Sequence, residues 1–221
     1  MMSKQVKVWD PLVRIFHWSL VLFFIVAYLS EDQVSIHVLA GYVVLGLIVF
    51  RVIWGFIGPE YAKFSQFVSG PRQVLGYIKG IVTMSPKHYL GHNPLGGWMV
   101  LMLLAILFVV TLSGLKLYAV EEGLGPFASK SNVQFITTAY ADGHDDDDDD
   151  DDDHKHKKNG DKNDTDEEFW EDIHEGASEF MIFLILLHIA GVLASSMLHD
   201  EKLVKAMITG KKTLKNDHEK E

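Results

Sequence analysis

The stretch His174–His199, HEGASEFMIFLILLHIAGVLASSMLH, decides the reading of this chain. It is apolar over a length that can cross a bilayer, and it carries a histidine at its start (His174), one further in (His188) and one at its end (His199). In a helix advancing about 100° and 1.5 Å per residue, fourteen residues return to within roughly 40° of the starting face after ~21 Å. His174 and His188 therefore point into one seam at two levels. Ionisable groups inside a span are costly and usually face a bundle interior or a functional site. A single such histidine is ordinarily a hydrogen-bonded packing residue; two on one face call for partners from other spans.

The rest of the chain supplies them. Residues 12–30 read as a first span carrying His17 after a basic start (Lys4, Lys7, Arg14), with no small-residue cleavage site behind it to suggest a signal peptide. The turn EDQVS leads to a second span, residues 36–57, opened by His37, with Arg51 fourteen residues deeper on the same face. An arginine at that depth needs an anionic partner or a route to the interface. Residues 58–93 form a basic loop that includes an expected surface helix against lipid. His92-Asn93-Pro94 then reads as a helix start, with Asn as N-cap and Pro at the first position. A third span, residues 95–118, has no histidine, and the fourth follows from residue 172.

Composition agrees. Twenty of the 30 acidic residues lie between Lys116 and Gly176 against six lysines, so a hydrophobic, mildly basic body carries one acidic insertion. Nine consecutive aspartates, Asp145–Asp153, cannot bury a core, so residues 119–171 are expected to be a disordered acidic segment. The absence of Cys excludes disulfides, thiolate metal sites, iron–sulfur clusters and covalently attached haem. The expected fold is an all-α integral membrane four-helix bundle. Residues 1–118 hold three spans, 119–171 the insertion, 172–210 the fourth span with an amphipathic tail, and 211–221 a polar end. Fourteen of the 20 Lys and Arg fall in the N-terminus, the flank of Arg51, the 58–93 loop and the C-terminus. That bias puts both termini in the cytoplasm and the acidic segment on the outer face of the membrane.

With this topology His37 and His174 share the outer level, while His17 and His188 lie together ~20 Å deeper. Two axial imidazoles from facing helices are what a b-type haem lacks, and filling both axial positions leaves an iron that only exchanges electrons. Glycines one turn after His37 and His188 (HVLAG, HIAG) would let a flat macrocycle approach the backbone, although close helix packing would also explain them. Arg51 and Arg14 lie at the inner level, suited to haem propionates. His199, beside Asp200 and Glu201, is a weaker ligand candidate; His92 is open between propionate contact, quinone contact and a solvated loop position. His88, His144, His154, His156 and His218 read as solvated.

RIFHW, HVLAGY, FRVIWGFIGPEYAKF, YLGHNPLGG, the His174/His188 pair and LVKAMITGKK occur in this order, and together they resemble the bacterial cytochrome b561 family, in particular the b-type subunits of nickel–iron hydrogenases and relatives that partner c-type cytochromes. The resemblance implies two haems b, one on His17 and His188 and one on His37 and His174. It also implies electron exchange between quinone and a periplasmic hydrogenase or c-type cytochrome, by an electron-transfer subunit rather than a free-standing enzyme. The acidic insertion is outside the family pattern; it reads as a solvated loop, a docking surface for a lysine-rimmed cytochrome c, or a loose site for divalent metal. Membrane lipid is an expected partner, nucleic acid is not, and self-association is compatible with the sequence. Two rival readings are a divalent-metal transporter, disfavoured because only Glu179 among acidic residues enters a span, and a plain membrane anchor without cofactor.

Overall fold

A computed structural model describes residues 4–83, 87, 89, 91–128, 157–199 and 201–214. The aspartate run, Asp200 and His88, His144, His154, His156 and His218 lie outside the described residues. The elements are β1 (Lys4–Lys7), α1 (Pro11–Leu29), α2 (Val34–Ile57), the short α3 (Phe64–Phe67), α4 (Pro71–Val82), α5 (Pro94–Glu121), α6 (Lys157–Leu198), α7 (Leu203–Thr209) and β2 (Lys211–Leu214). Among them α1, α2, α5 and α6 are long and apolar enough to cross a membrane, and the chain is a multi-pass membrane protein.

Local chemistry sets the boundaries. Asp10 caps α1 through the Leu12 amide (3.1 Å), with Pro11 at the first helical position. The same carboxylate accepts from Trp54 Nε1 on α2 (3.1 Å), fixing the entry of α1 against the exit of α2. Asn93 caps α5 by accepting from the Gly96 amide (2.7 Å), again with Pro next. α7 stops at Gly210, whose φ of +81° is the left-handed conformation glycine tolerates.

The bundle packs in the order α1–α2–α5–α6, with α5 against α6 the most extensive contact and α1–α6 not among the closely packed pairs. Its centre is an apolar layer of Val44, Ile48, Leu107 and Met181, flanked by Phe23, Phe24 and Val110. The α1–α2 turn and the C-terminal end of α5 lie at one end, here the distal end. The other, terminal end carries β1, α3, α4, α7 and β2.

Two features differ from expectation or were not foreseen, and one agrees with it. α6 begins at Lys157, so at least residues 157–171 of the expected disordered segment are helical. Forty-two residues span about 63 Å at 1.5 Å each, roughly twice a bilayer core, because an already formed span propagates its helix outward at little nucleation cost. β1 pairs antiparallel with β2, tying the two ends of the chain together. The expected surface helix is α4, which exposes Leu75, Ile78 and Val82 and buries Tyr77. Tyr77 is hydrogen-bonded to Ser195 of α6, and burial, opposed by that bond, pushes its phenol above its ordinary range.

Candidate functional site

At the distal end the rings of His37 (α2) and His174 (α6) face each other with centroids 5.9 Å apart and planes crossed at 81°. Each ring is held from behind. His37 Nδ1 is 2.9 Å from the Ala27 carbonyl, and His174 Nδ1 is 3.0 Å from the Val110 carbonyl and 3.2 Å from Ser113 Oγ. A carbonyl only accepts, so both rings donate from Nδ1, which leaves the Nε2 lone pair free to bind a metal. Imidazole nitrogens ~2.0–2.1 Å from a shared metal put ring centroids roughly 6 Å apart, close to the separation found.

Ser113 and Gly114 make the seat for His174. Ser113 is 1% exposed and also donates to the Val110 carbonyl (3.1 Å). A Cβ on Gly114 would lie 2.8 Å from His174 Cε1, so this position must be glycine while the ring stays where it is. Reading the third span for histidines missed this contribution, which is a carbonyl, a hydroxyl and a missing methyl. The available signal was the small Ser-Gly pair within otherwise bulky TLSGL.

Toward the terminal end, His17 (α1) lies within electrostatic reach of His188 (α6), which is in turn within reach of His92. Four buried polar atoms here have no hydrogen-bond partner among the described residues: His17 Nδ1, Arg14 Nε, Arg51 Nη1 and His92 Nδ1. Arg51 is 3% exposed, and its guanidinium stands over the Phe64 and Phe67 rings at 4.8 and 5.9 Å, without a carboxylate among the described residues. Aromatic faces satisfy part of its charge but none of its hydrogen bonds. Natural proteins rarely strand buried polar groups, and four in one neighbourhood mark a place where something outside the chain supplies acceptors. The anionic propionates of a haem would answer the guanidiniums, and its iron would take the imidazoles of His17 and His188 at Nε2.

His92, open on sequence grounds, is a half-buried member of this group. It packs between Trp9 (4.7 Å) and Phe67 (4.5 Å), and burial first, then the charges of Arg51, His188 and Lys212, push its imidazole down to about 3. It is therefore neutral at physiological pH. His199 lies one residue past the end of α6 and is half-buried.

The glycines behind the ligand candidates are informative. A Cβ on Gly41 or Gly191 would meet nothing within 4 Å, so helix packing within the chain does not require either glycine. Both leave open space one turn from His37 and His188, where a flat group could lie. Between the two levels α1 and α6 are separated by an apolar groove of about 220 Å³ lined by Phe24, Ile25, Tyr28, Ile182, Ile185 and Leu186. No cluster of three or more His, Asp or Glu able to hold a bare metal ion occurs among the described residues. The His37–His174 arrangement is a two-imidazole pair, suited to a metal that brings its own equatorial ligands.

The family model described as Prokaryotic cytochrome b561 matches residues 8–210. No curated protein and no solved structure matched the chain.

Proposed function

This chain belongs to the prokaryotic cytochrome b561 family, a family of haem b membrane proteins that transfer electrons, and from that membership we propose that it is a di-haem conduit between the two faces of a bacterial inner membrane. The distal haem would be held by His37 and His174, the other by His17 and His188, with Arg51 and Arg14 on its propionates. The observation that carries this reading is the pair of crossed imidazoles 5.9 Å apart, each anchored by Nδ1 to a backbone carbonyl. Haem, when bound, supplies a one-electron iron couple. The protein's own groups do the remainder: carbonyls of Ala27 and Val110 fix the ligand tautomer, guanidiniums balance carboxylate charge, and the apolar layer around Leu107 excludes water between the levels.

The lysine and arginine bias supports a cytoplasmic terminal end and a periplasmic distal end. On that orientation a hydrogenase or c-type cytochrome would meet the distal face. There Glu121 lies within electrostatic reach of Glu122, Glu167 and Glu171, and α6 carries exposed Asp166, Glu168 and Glu171. Such a surface accelerates encounter with a basic partner. Quinone would exchange at the terminal end. The test is a reduced-minus-oxidised spectrum of the purified chain with a haem count. Low-spin b-type bands at two haems per chain are expected, and His174→Ala should remove the distal haem alone; a colourless protein would refute the reading.

A further inference from the structure

We propose that α4 is a site for anionic phospholipid: its Leu75–Ile78–Val82 face lies among acyl chains at the terminal end of the bundle, and the neighbouring side chains of Arg72 and Lys79 hold the lipid phosphates. The site needs no haem, and it is independent of which face of the membrane is cytoplasmic.

Two contacts set the depth of α4. Just before its start the Ser69 carbonyl accepts from Trp98 Nε1 (2.9 Å), and in its middle Tyr77 is hydrogen-bonded to Ser195. Trp98 is four residues past the start of α5 and Ser195 three residues before the end of α6, so each contact lies about 5–6 Å from the terminal end of its span. α4 is therefore strapped across the ends of two neighbouring spans. That is the level of the lipid headgroups, where an exposed tryptophan such as Trp98 is at home.

The side chains of α4 fall into sectors at this level. Taking about 100° per residue, Ile78 and Val82 lie within roughly 60° of Leu75, and all three are exposed. On one flank half-buried Val74 and Ile81 lead round to Tyr77, which is buried against the bundle about 160° from Leu75. On the other flank Lys79 and Arg72 follow at roughly 40° and 60°, both exposed and ~10 Å apart along the axis. An apolar sector bordered by basic residues is the pattern of a helix lying in the interface. The stems of Lys79 and Arg72 run along apolar surface and carry their charges to headgroup level.

Nothing in the protein neutralises those charges. Residues 61–120 contain no Asp or Glu, and among the described residues no carboxylate pairs with Arg72 or Lys79. Lys63 and Lys87 add charge of the same sign to this connection. A zwitterionic headgroup brings its own cation and gains little beside such an edge, whereas a net negative one supplies the missing counter-charge. Each basic group near an anionic surface is worth about fivefold in local lipid enrichment, and less as salt screens it.

A chain without Cys accepts a single reporter. Gly76 lies beside the basic sector with nothing within 4 Å of an added Cβ, so Gly76→Cys can carry a fluorophore in the full chain, reconstituted in phosphatidylcholine vesicles. Doxyl-labelled phosphatidylglycerol should quench it at roughly four- to twenty-five-fold lower content than doxyl-labelled phosphatidylcholine. In this background Arg72→Gln and Lys79→Gln should each reduce the preference about two- to fivefold, the double variant should abolish it, and Arg72→Lys should keep it. The proposal is overturned if the two lipids quench alike, or if the double variant retains the preference. It is equally overturned if neither lipid quenches, the result for a face covered by a second copy or a soluble partner. The readout does not depend on haem, so its failure is distinguishable from failure of the function proposed above.

Discussion

Gly114→Ala isolates the seat of the distal ligand with a single methyl. The added Cβ would stand 2.8 Å from His174 Cε1 and 3.1 Å from its Nδ1, against the 3.4–4 Å of ordinary contact, so the ring must retreat by about 0.6–1 Å. The Nδ1 bond to the Val110 carbonyl, now 3.0 Å, then passes beyond hydrogen-bond range. Losing it costs about 1 kcal/mol, and residual overpacking adds about 1 kcal/mol more. Helix propensity works the other way, since alanine is the better helix former, so α5 itself should persist. A loss of ~1–2 kcal/mol in the seating of one haem corresponds to roughly five- to thirtyfold weaker retention, expressed mainly as faster release. Haem transfer to excess apomyoglobin should therefore show one of two phases accelerated by that factor and the other unchanged. Gly46→Ala is the control: it lies nine residues past His37, on the opposite face of α2, with nothing within 4 Å of the added methyl. Two haem-release phases in Gly114→Ala indistinguishable from wild type would refute the account of the distal site.

Arg51→Leu removes a buried guanidinium that has aromatic but no carboxylate partners, and loss of a charge-assisted bond of ~1.5–3 kcal/mol should speed release of the second haem roughly ten- to a hundredfold in the same assay. Gly191→Leu projects from a position where an added Cβ meets nothing within 4 Å among the described residues; the haem-free fold should be indifferent to it, while haem content by pyridine haemochrome should fall toward one per chain. His92 gives a pH signature: its imidazole, near 6.5 when unfolded and about 3 when folded, leaves the unfolded chain binding the extra proton below pH 6.5. Stability should thus fall as pH drops from 6.5 toward 3, by at most about 1.4 kcal/mol per unit, and His92→Gln should flatten that slope in thermal denaturation in detergent. Gly210→Val places a branched residue at φ +81° with its Cβ 2.7 Å from Arg14 Nη1, and hydrogen exchange should show the β1–β2 ribbon opening.

The four spans were legible because a bilayer demands about twenty apolar residues, and Leu12, Ile36, Leu95 and Ile57 mark helix ends within two residues of those found. His37 and His174 could be placed at one level because helical rise converts residue number to depth. What lay across the bundle could not be read that way. The Val110 carbonyl behind His174 depends on the register between α5 and α6, which no spacing within either helix encodes. His92 was undecided because its burial is made by Trp9 and Phe67, 83 and 25 residues away in sequence. The β1–β2 ribbon escaped notice because four-residue alternations such as KQVK and KKTL are too short to stand out. The helical start of α6 was hidden by a composition that, taken alone, favours disorder.

The central claim, that histidines from three spans form two haem-binding pairs across the bundle, is tested most directly by counting haem b per chain in the purified wild type and in His37→Ala and His17→Ala. Two, one and one are predicted, with a different haem retained in each variant. A wild-type count of one or none, or two single variants holding the same haem, would contradict it.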